Sequence, residues 1–147
     1  MLNPNENLNL PGPVLFFDGE CGLCHRVVLW LLNRDDRGVL RFAPFQGAAA
    51  QAYLRTHGLP TEDFDSLVFV PDWSRRERRE FLLRTDGALA AARVVGGFGT
   101  VVAWARVWPR AWRDGVYRVI ARSRYRIWGE WKPQPLARPE WAARFLN

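Results

Sequence analysis

The feature that most constrains the fold is a short apolar run that leads directly into a helical pattern. Residues Val14–Phe17 are all hydrophobic, and the run stops at Asp18 and Gly19. An apolar run of this length that ends at turn residues is typical of a buried β-strand. Apolar residues at helical spacing follow, and they predict a helix over residues 22–33 that ends before the turn residues around Gly38. The core therefore begins with a strand, a turn and a helix.

The rest of the chain continues to alternate between strand and helix patterns. We predict strands over residues 39–45, 67–70 and 80–84, a turn at residues 85–87, and helices over residues 47–58, from residue 88 onward and over residues 115–127. A helix between the first two strands makes them parallel, whereas the third and fourth strands are close enough to pair as a hairpin. This order predicts an α/β, thioredoxin-like fold (β-α-β-α-β-β-α) with additional C-terminal helices.

The length and composition suit one domain with loose ends. The chain has 147 residues, and 48% of them are hydrophobic, which is enough to build a core. Residues 1–12 are polar and contain Pro and Gly, so we predict a flexible N-terminal tail there. Residues 13–129 form the predicted thioredoxin-like domain with its C-terminal helical extension. Residues 130–147 contain three prolines and are predicted to be a mostly irregular C-terminal tail with room for one short helix over residues 139–145.

The chain contains two cysteines, Cys21 and Cys24, and two residues separate them. A disulfide between them would close a very small loop and stabilise the fold little, so the pair suits chemistry better than cross-linking. It falls on the first turn of the first helix, where free backbone N–H groups and the helix dipole stabilise a thiolate. We predict that Cys21 attacks a substrate disulfide, that Gly22 leaves its approach open, and that Cys24 resolves the mixed disulfide.

Asp18 lies three residues before Cys21 and is the third candidate catalytic residue. Two interpretations of its carboxylate remain open. It can accept the proton of Cys24 during resolution, or it can hold the loop by accepting hydrogen bonds from backbone N–H groups. The predicted chemistry uses no cofactor and no metal ion.

Two motifs in this chain resemble those of the DCC family, which groups predicted thiol–disulfide oxidoreductases. Residues 17–24 (Phe-Asp-Gly-Glu-Cys-Gly-Leu-Cys) contain the Asp-x-x-Cys-x-x-Cys signature. Residues 116–129 look like the C-terminal Tyr-Arg…Ala-Arg…Arg-Tyr…Gly motif of that family. The resemblance implies a thioredoxin-like fold and a redox-active set of Asp18, Cys21 and Cys24, and it implies no particular substrate.

The C-terminal motif contains a row of arginines whose role the sequence leaves open. Arg118, Arg122 and Arg126 recur every four residues, so they form one basic stripe on the predicted helix. A plain amphipathic helix explains the pattern, with an apolar face made by Val116, Val119, Ile120 and Ile127. The alternative is that the arginines bind an anionic ligand or pair with an acidic partner such as Asp18.

Other functions would use the same cysteines. Cys21, Cys24, His25 and His57 are four candidate zinc ligands, although structural zinc sites normally use two well-separated ligand pairs. The segment from Cys21 to His25 also spells the motif for c-type haem attachment, which requires export. A thioredoxin-like scaffold whose cysteines do not turn over is the remaining alternative.

The charge and the termini bear on partners and location. The 21 basic and 15 acidic residues give a net charge of +6, which we interpret as a solvated basic surface, and we expect no nucleic-acid partner because no recognised motif accompanies it. The first residues lack the basic and apolar regions of a signal peptide. The apolar run over residues 94–108 is too short to span a membrane. We predict a cytoplasmic protein whose partner is an unidentified thiol or disulfide.

Overall fold

The computed structural model describes residues 11–35, 37–62, 66–95, 107–128 and 144–146. Four strands form one sheet in the order β2-β1-β3-β4: β1 (Val14–Phe17), β2 (Arg41–Pro44), β3 (Val68–Val70) and β4 (Leu82–Leu83). The helices within the described ranges are α1 (Gly22–Arg34), α2 (Ala48–Thr56), α3 (Arg84–Val95) and α4 (Arg110–Trp128). A short 3-10 helix at Trp73–Arg75 follows β3.

The sheet is mixed, as the order of elements predicted. β1 pairs with β2 in parallel, and α1 makes the crossover between them. β3 runs antiparallel to both β1 and β4, so the predicted hairpin is confirmed. A four-stranded mixed sheet with these helices is compatible with the thioredoxin-like fold expected from the sequence.

β1 lies at the centre of the core and is buried on both faces. Leu15 and Phe17 face the cluster that contains α1 and both cysteines. Val14 and Phe16 face the second cluster, which contains residues of α2 and Trp73. Because both faces are covered, the strand is apolar throughout rather than alternating, which explains the continuous run that made it recognisable.

Two predicted boundaries are wrong. Residues 85–87 are not a turn before the third helix, because α3 already begins at Arg84. A polar residue such as Asp86 suits the first turn of a helix as well as it suits a loop, since it stabilises the free N–H groups there. Gly87 lets this turn lie close to β4, because a Cβ at that position would be 2.9 Å from the carbonyl oxygen of Leu82. α4 begins at Arg110, five positions before the predicted start.

α4 packs through an unexpected face. The hydroxyl of Tyr117 accepts a 2.8 Å hydrogen bond from the backbone N–H of Leu67, and Ala121 is buried. At the start of the helix, Asp86 of α3 pairs with Arg110 and Arg113. These contacts dock the side of α4 that carries Tyr117 against the domain.

The apolar face expected of α4 is directed to solvent. Val116 is 56% exposed and Val119 is 68% exposed, with Ile120 at 42%. The basic stripe of Arg118, Arg122 and Arg126 is also exposed. Amphipathic periodicity therefore predicted the helix correctly but not the side that packs.

Part of the predicted C-terminal tail lies against the edge of the sheet. Leu146 donates a 2.7 Å backbone hydrogen bond to the carbonyl of Phe42, and Phe145 forms a parallel bridge with Phe42. Arg144 pairs with the buried carboxylate of Asp35. The short helix suggested over residues 139–145 falls mostly outside the described residues. No helix in the described ranges is both long and apolar enough to cross a membrane.

Candidate active site

The candidate site is built at the junction of β1 and α1, where the sequence placed it. The backbone N–H of Cys21 donates to the carbonyl of Asp18 at 3.3 Å, which closes the turn after the strand. Cys21 is the N-cap of α1, and its carbonyl accepts the first helical hydrogen bond, from the N–H of His25 at 3.1 Å. Cys24 follows in the first helical turn, so both thiols belong to the N-terminus of one helix.

The two cysteines lie 3.5 Å apart and are not joined by a disulfide. Two cysteines this close can form a disulfide, whose S–S bond is about 2.05 Å long. The first turn of α1 contains no acidic residue, so its free N–H groups and its positive dipole end are not offset by a carboxylate of that turn. The helix terminus therefore favours a thiolate there, whereas burial of the pair opposes it.

The cysteines are less accessible than the sequence indicated. Cys21 exposes none of its surface and Cys24 exposes 9%. Gly22 is itself buried, so the open approach to Cys21 predicted from that glycine is absent in this conformation. Cys21 would become accessible only through a local opening of this region, of the kind that folded proteins undergo without unfolding globally.

Asp18 is buried in the turn, and hydrogen bonds to its side chain hold it there. Its Oδ1 atom accepts hydrogen bonds from the backbone N–H of Glu20 and from Nε2 of Gln46, both at 3.0 Å. The bond from Glu20 is the loop-holding contact that an aspartate makes in turns. The carboxylate is 7% exposed, so it lies within the same protected region as the thiols.

Gln46 and His25 complete the turn, and sequence reasoning gave neither residue a redox role. Oε1 of Gln46 accepts a 3.0 Å hydrogen bond from the N–H of Gly19. Nε2 of His25 lies 2.7 Å from the carbonyl oxygen of Gly19, which makes it the donor. Burial lowers the pKa of His25, and the Gly19 hydrogen bond and the charge of Asp18 oppose that shift. The signal that was missed is that Gln46 follows β2, which runs parallel to β1 and ends beside it.

The candidate zinc ligands are not brought together. His57 lies at the end of α2, where its Nε2 atom is 2.7 Å from the carbonyl oxygen of Arg76 and its ring packs against Tyr53. It belongs to the opposite side of the sheet from the cysteines. In the part of the chain that the structure describes, no group of three or more His, Cys, Asp or Glu side chains is placed to hold a metal ion.

Comparison with known proteins points to one family. Residues 15–130 match the family model of the DCC1-like thiol-disulfide oxidoreductases. Uncharacterized protein YuxK of Bacillus subtilis (strain 168) is 33% identical over 137 residues, which are 93% of this chain and 96% of YuxK. DCC family protein At1g52590, chloroplastic, of Arabidopsis thaliana is 25% identical over 118 residues, which are 80% of this chain and 65% of that protein. No solved structure gives a significant match.

Proposed function

Because the chain belongs to the DCC1-like thiol-disulfide oxidoreductase family, we propose that it exchanges electrons with a substrate through the dithiol of Cys21 and Cys24. The observation that carries this proposal is the placement of two cysteines, not joined by a disulfide, 3.5 Å apart at the N-terminus of α1. A thiolate is the nucleophile in disulfide exchange, and a helix N-terminus is one of the settings that favour it.

The proposed reaction has two exchange steps. The thiolate of Cys21 attacks one sulfur of the substrate disulfide, which forms a mixed disulfide and releases the other sulfur as a thiolate. Cys24 then loses its proton and attacks Sγ of Cys21, which releases the second substrate thiolate and leaves a disulfide between Cys21 and Cys24. Two electrons pass from the dithiol to the substrate, and an external thiol reductant must supply two electrons to restore it.

We assign Asp18 as the acceptor of the Cys24 proton in the second step. The carboxylate is buried in the turn that leads into the pair, and the backbone carbonyl of the same residue accepts the N–H of Cys21. A buried carboxylate that takes a proton only transiently acts as a general base. The proton then passes to the departing substrate thiolate, so the step is balanced.

The proposed partner is a protein or small molecule that contains a thiol or disulfide, and the proposed location is the cytoplasm. A reducing compartment supplies the thiols that such a dithiol needs for recycling. The name of the Arabidopsis relative places that protein in the chloroplast, so location within this family is not uniform.

Two experiments test the proposal, a redox titration of the wild-type protein and the trapping of a mixed disulfide in cysteine variants. The wild-type protein is expected to show one discrete two-electron potential. The Cys24→Ser variant is expected to accumulate a mixed disulfide on Cys21, visible by mass spectrometry of the non-reduced protein, and the matched Cys21→Ser variant is expected to accumulate much less. Absence of both the discrete potential and the trapped adduct would leave a scaffold without turnover as the function.

A further inference from the structure

The loop after β2 places one side chain against the turn that carries Asp18. The N–H of Phe45 donates to the carbonyl of Phe17 at 2.8 Å, so the pairing with β1 continues one residue past the end of β2. The N–H of Gly47 then donates to the carbonyl of Pro44 at 3.0 Å and turns the chain. Between these two contacts stands Gln46, opposite Asp18 and Gly19.

The amide of Gln46 holds the turn with both of its ends. Nε2 donates to Oδ1 of Asp18, and Oε1 accepts from the N–H of Gly19, each at 3.0 Å. The partners determine this orientation, because the backbone N–H can only donate and an ionised carboxylate can only accept. Of the residue types with this reach, an amide satisfies both contacts at once, whereas a glutamate would set an acceptor against the Asp18 carboxylate.

Gly19 lies at the same contact between the two loops, where a side chain would meet Gln46 and Pro44. A Cβ at this position would lie 2.9 Å from Oε1 of Gln46 and 3.1 Å from Cβ of Pro44. A glycine therefore allows the two loops to approach each other this closely. The close packing at Gly19 and the two hydrogen bonds of Gln46 together determine how far the Gln46 loop lies from the Asp18 turn.

We propose that Gln46 is a positioning residue for the dithiol chemistry, acting through Asp18; the inference rests on the function proposed above. Two N–H donors on one carboxylate oxygen fix the direction of the Asp18 carboxylate. An ionised Asp18 can take the proton that Cys24 gives up as its sulfur attacks Sγ of Cys21. The electron pair of the broken bond leaves with the substrate thiolate, which then receives the proton.

The experiment separates attack from resolution. The reduced protein, freed of reductant, is mixed by stopped flow with one equivalent of the chromogenic disulfide of thionitrobenzoate. Attack by Cys21 releases the first thionitrobenzoate in a concentration-dependent phase, and resolution by Cys24 releases the second in a concentration-independent phase. Gln46→Ala is expected to slow the second phase by about tenfold or more, the size expected for losing a hydrogen bond to a charged group, and to leave the first phase within about twofold.

Gln51→Ala is the matched control. Gln51 is another glutamine whose Nε2 makes two hydrogen bonds, to the carbonyls of Phe45 and Thr61, and neither involves Asp18. Its variant is expected to retain both phases within about twofold, since the hydrogen bonds that it loses go to backbone carbonyls and not to the Asp18 carboxylate. Because Gln46 is exposed, its substitution removes no core packing, and circular dichroism of both variants verifies the fold.

A double-variant cycle tests whether Gln46 acts through Asp18. In an Asp18→Asn background, Gln46→Ala is expected to cause no further slowing of the second phase, since the carboxylate that it positions is gone. Equal slowing in both backgrounds, or an unchanged second phase in Gln46→Ala, would overturn the positioning role while leaving the redox function standing. A wild-type protein that releases no second thionitrobenzoate would overturn the proposed function together with it.

Discussion

Arg144→Met is expected to destabilise the protein, because Arg144 is the partner of a buried carboxylate at the edge of the sheet. The guanidinium pairs with Asp35, and its Nε and Nη2 atoms donate to the carbonyl oxygen of Leu40 at 3.0 and 2.7 Å. Methionine keeps the apolar stem of the side chain and removes every one of these donors. The substitution therefore tests the polar contacts rather than the packing.

The size of the effect follows from the burial of the pair. The side chain of Asp35 is 1% exposed and that of Arg144 is 14% exposed. Removing one partner of a buried ion pair costs about 3–5 kcal/mol of unfolding free energy. Asp35 keeps hydrogen bonds from the N–H groups of Leu40 and Val39, so we expect the lower end, about 3 kcal/mol. In a chain of this length that corresponds to a fall in Tm of about 6–12 °C.

Urea denaturation, monitored by circular dichroism, measures the free energy of unfolding, and Arg126→Met is the control variant. Arg126 is exposed on α4, so its replacement is expected to change the free energy of unfolding by less than about 0.5 kcal/mol. Equal stabilities of the Arg144 and Arg126 variants would refute the reasoning, because they would mean that residues 144–146 do not hold the sheet edge in solution.

Three further predictions concern the site and its support. Burial lowers the pKa of His25, so below pH of about 6.5 the unfolded chain binds a proton that the folded protein resists. The free energy of unfolding is therefore expected to decrease as pH falls below that value, and to decrease less in His25→Gln. Urea titrations at pH of about 7 and about 5.5 measure both decreases. Gly19→Ala should displace Gln46 and slow the release of the second thionitrobenzoate by about tenfold, as Gln46→Ala does, with little change in Tm; an unaffected second phase would contradict this. Tyr117→Phe is expected to lower the free energy of unfolding by about 1–2 kcal/mol, because it removes the hydroxyl that accepts the hydrogen bond from the N–H of Leu67. A thermal melt equal to that of the wild type would argue against this docking contact.

The parts of the fold that the sequence predicted well are those governed by local patterns. β1 was recognisable because a strand covered on both faces is apolar at every position, and Asp18 and Gly19 end it clearly. The apolar residues at helical spacing that follow the turn likewise placed Cys21 at the start of α1. Local chemistry was ambiguous where one residue type serves two structures, as at Asp86, which suits both a turn and the first turn of α3.

The parts that the sequence did not predict depend on contacts between distant residues. Gln46 reaches Asp18 across 28 positions, and the contact exists only because β1 and β2 are parallel and in the register that pairs Phe17 with Pro44. A glutamine in a loop has no periodicity that could reveal such a role. Similarly, periodicity shows that α4 has two kinds of face, but the bond between Tyr117 and Leu67 determines which one docks.

Two opposite effects act on Cys21, and together they describe how the proposed site would operate. The N-terminus of α1 favours the thiolate, whereas complete burial favours the neutral thiol, since a charge loses its hydration there. A local opening that leaves Cys21 at the helix terminus, where it caps α1, would remove the second effect and keep the first. Access for the substrate and the charge on the nucleophile would then arise in one event. In the proposed mechanism, a closed site would slow the reaction of the dithiol with any substrate or oxidant, and the segments packed around α1 would control how often it opens.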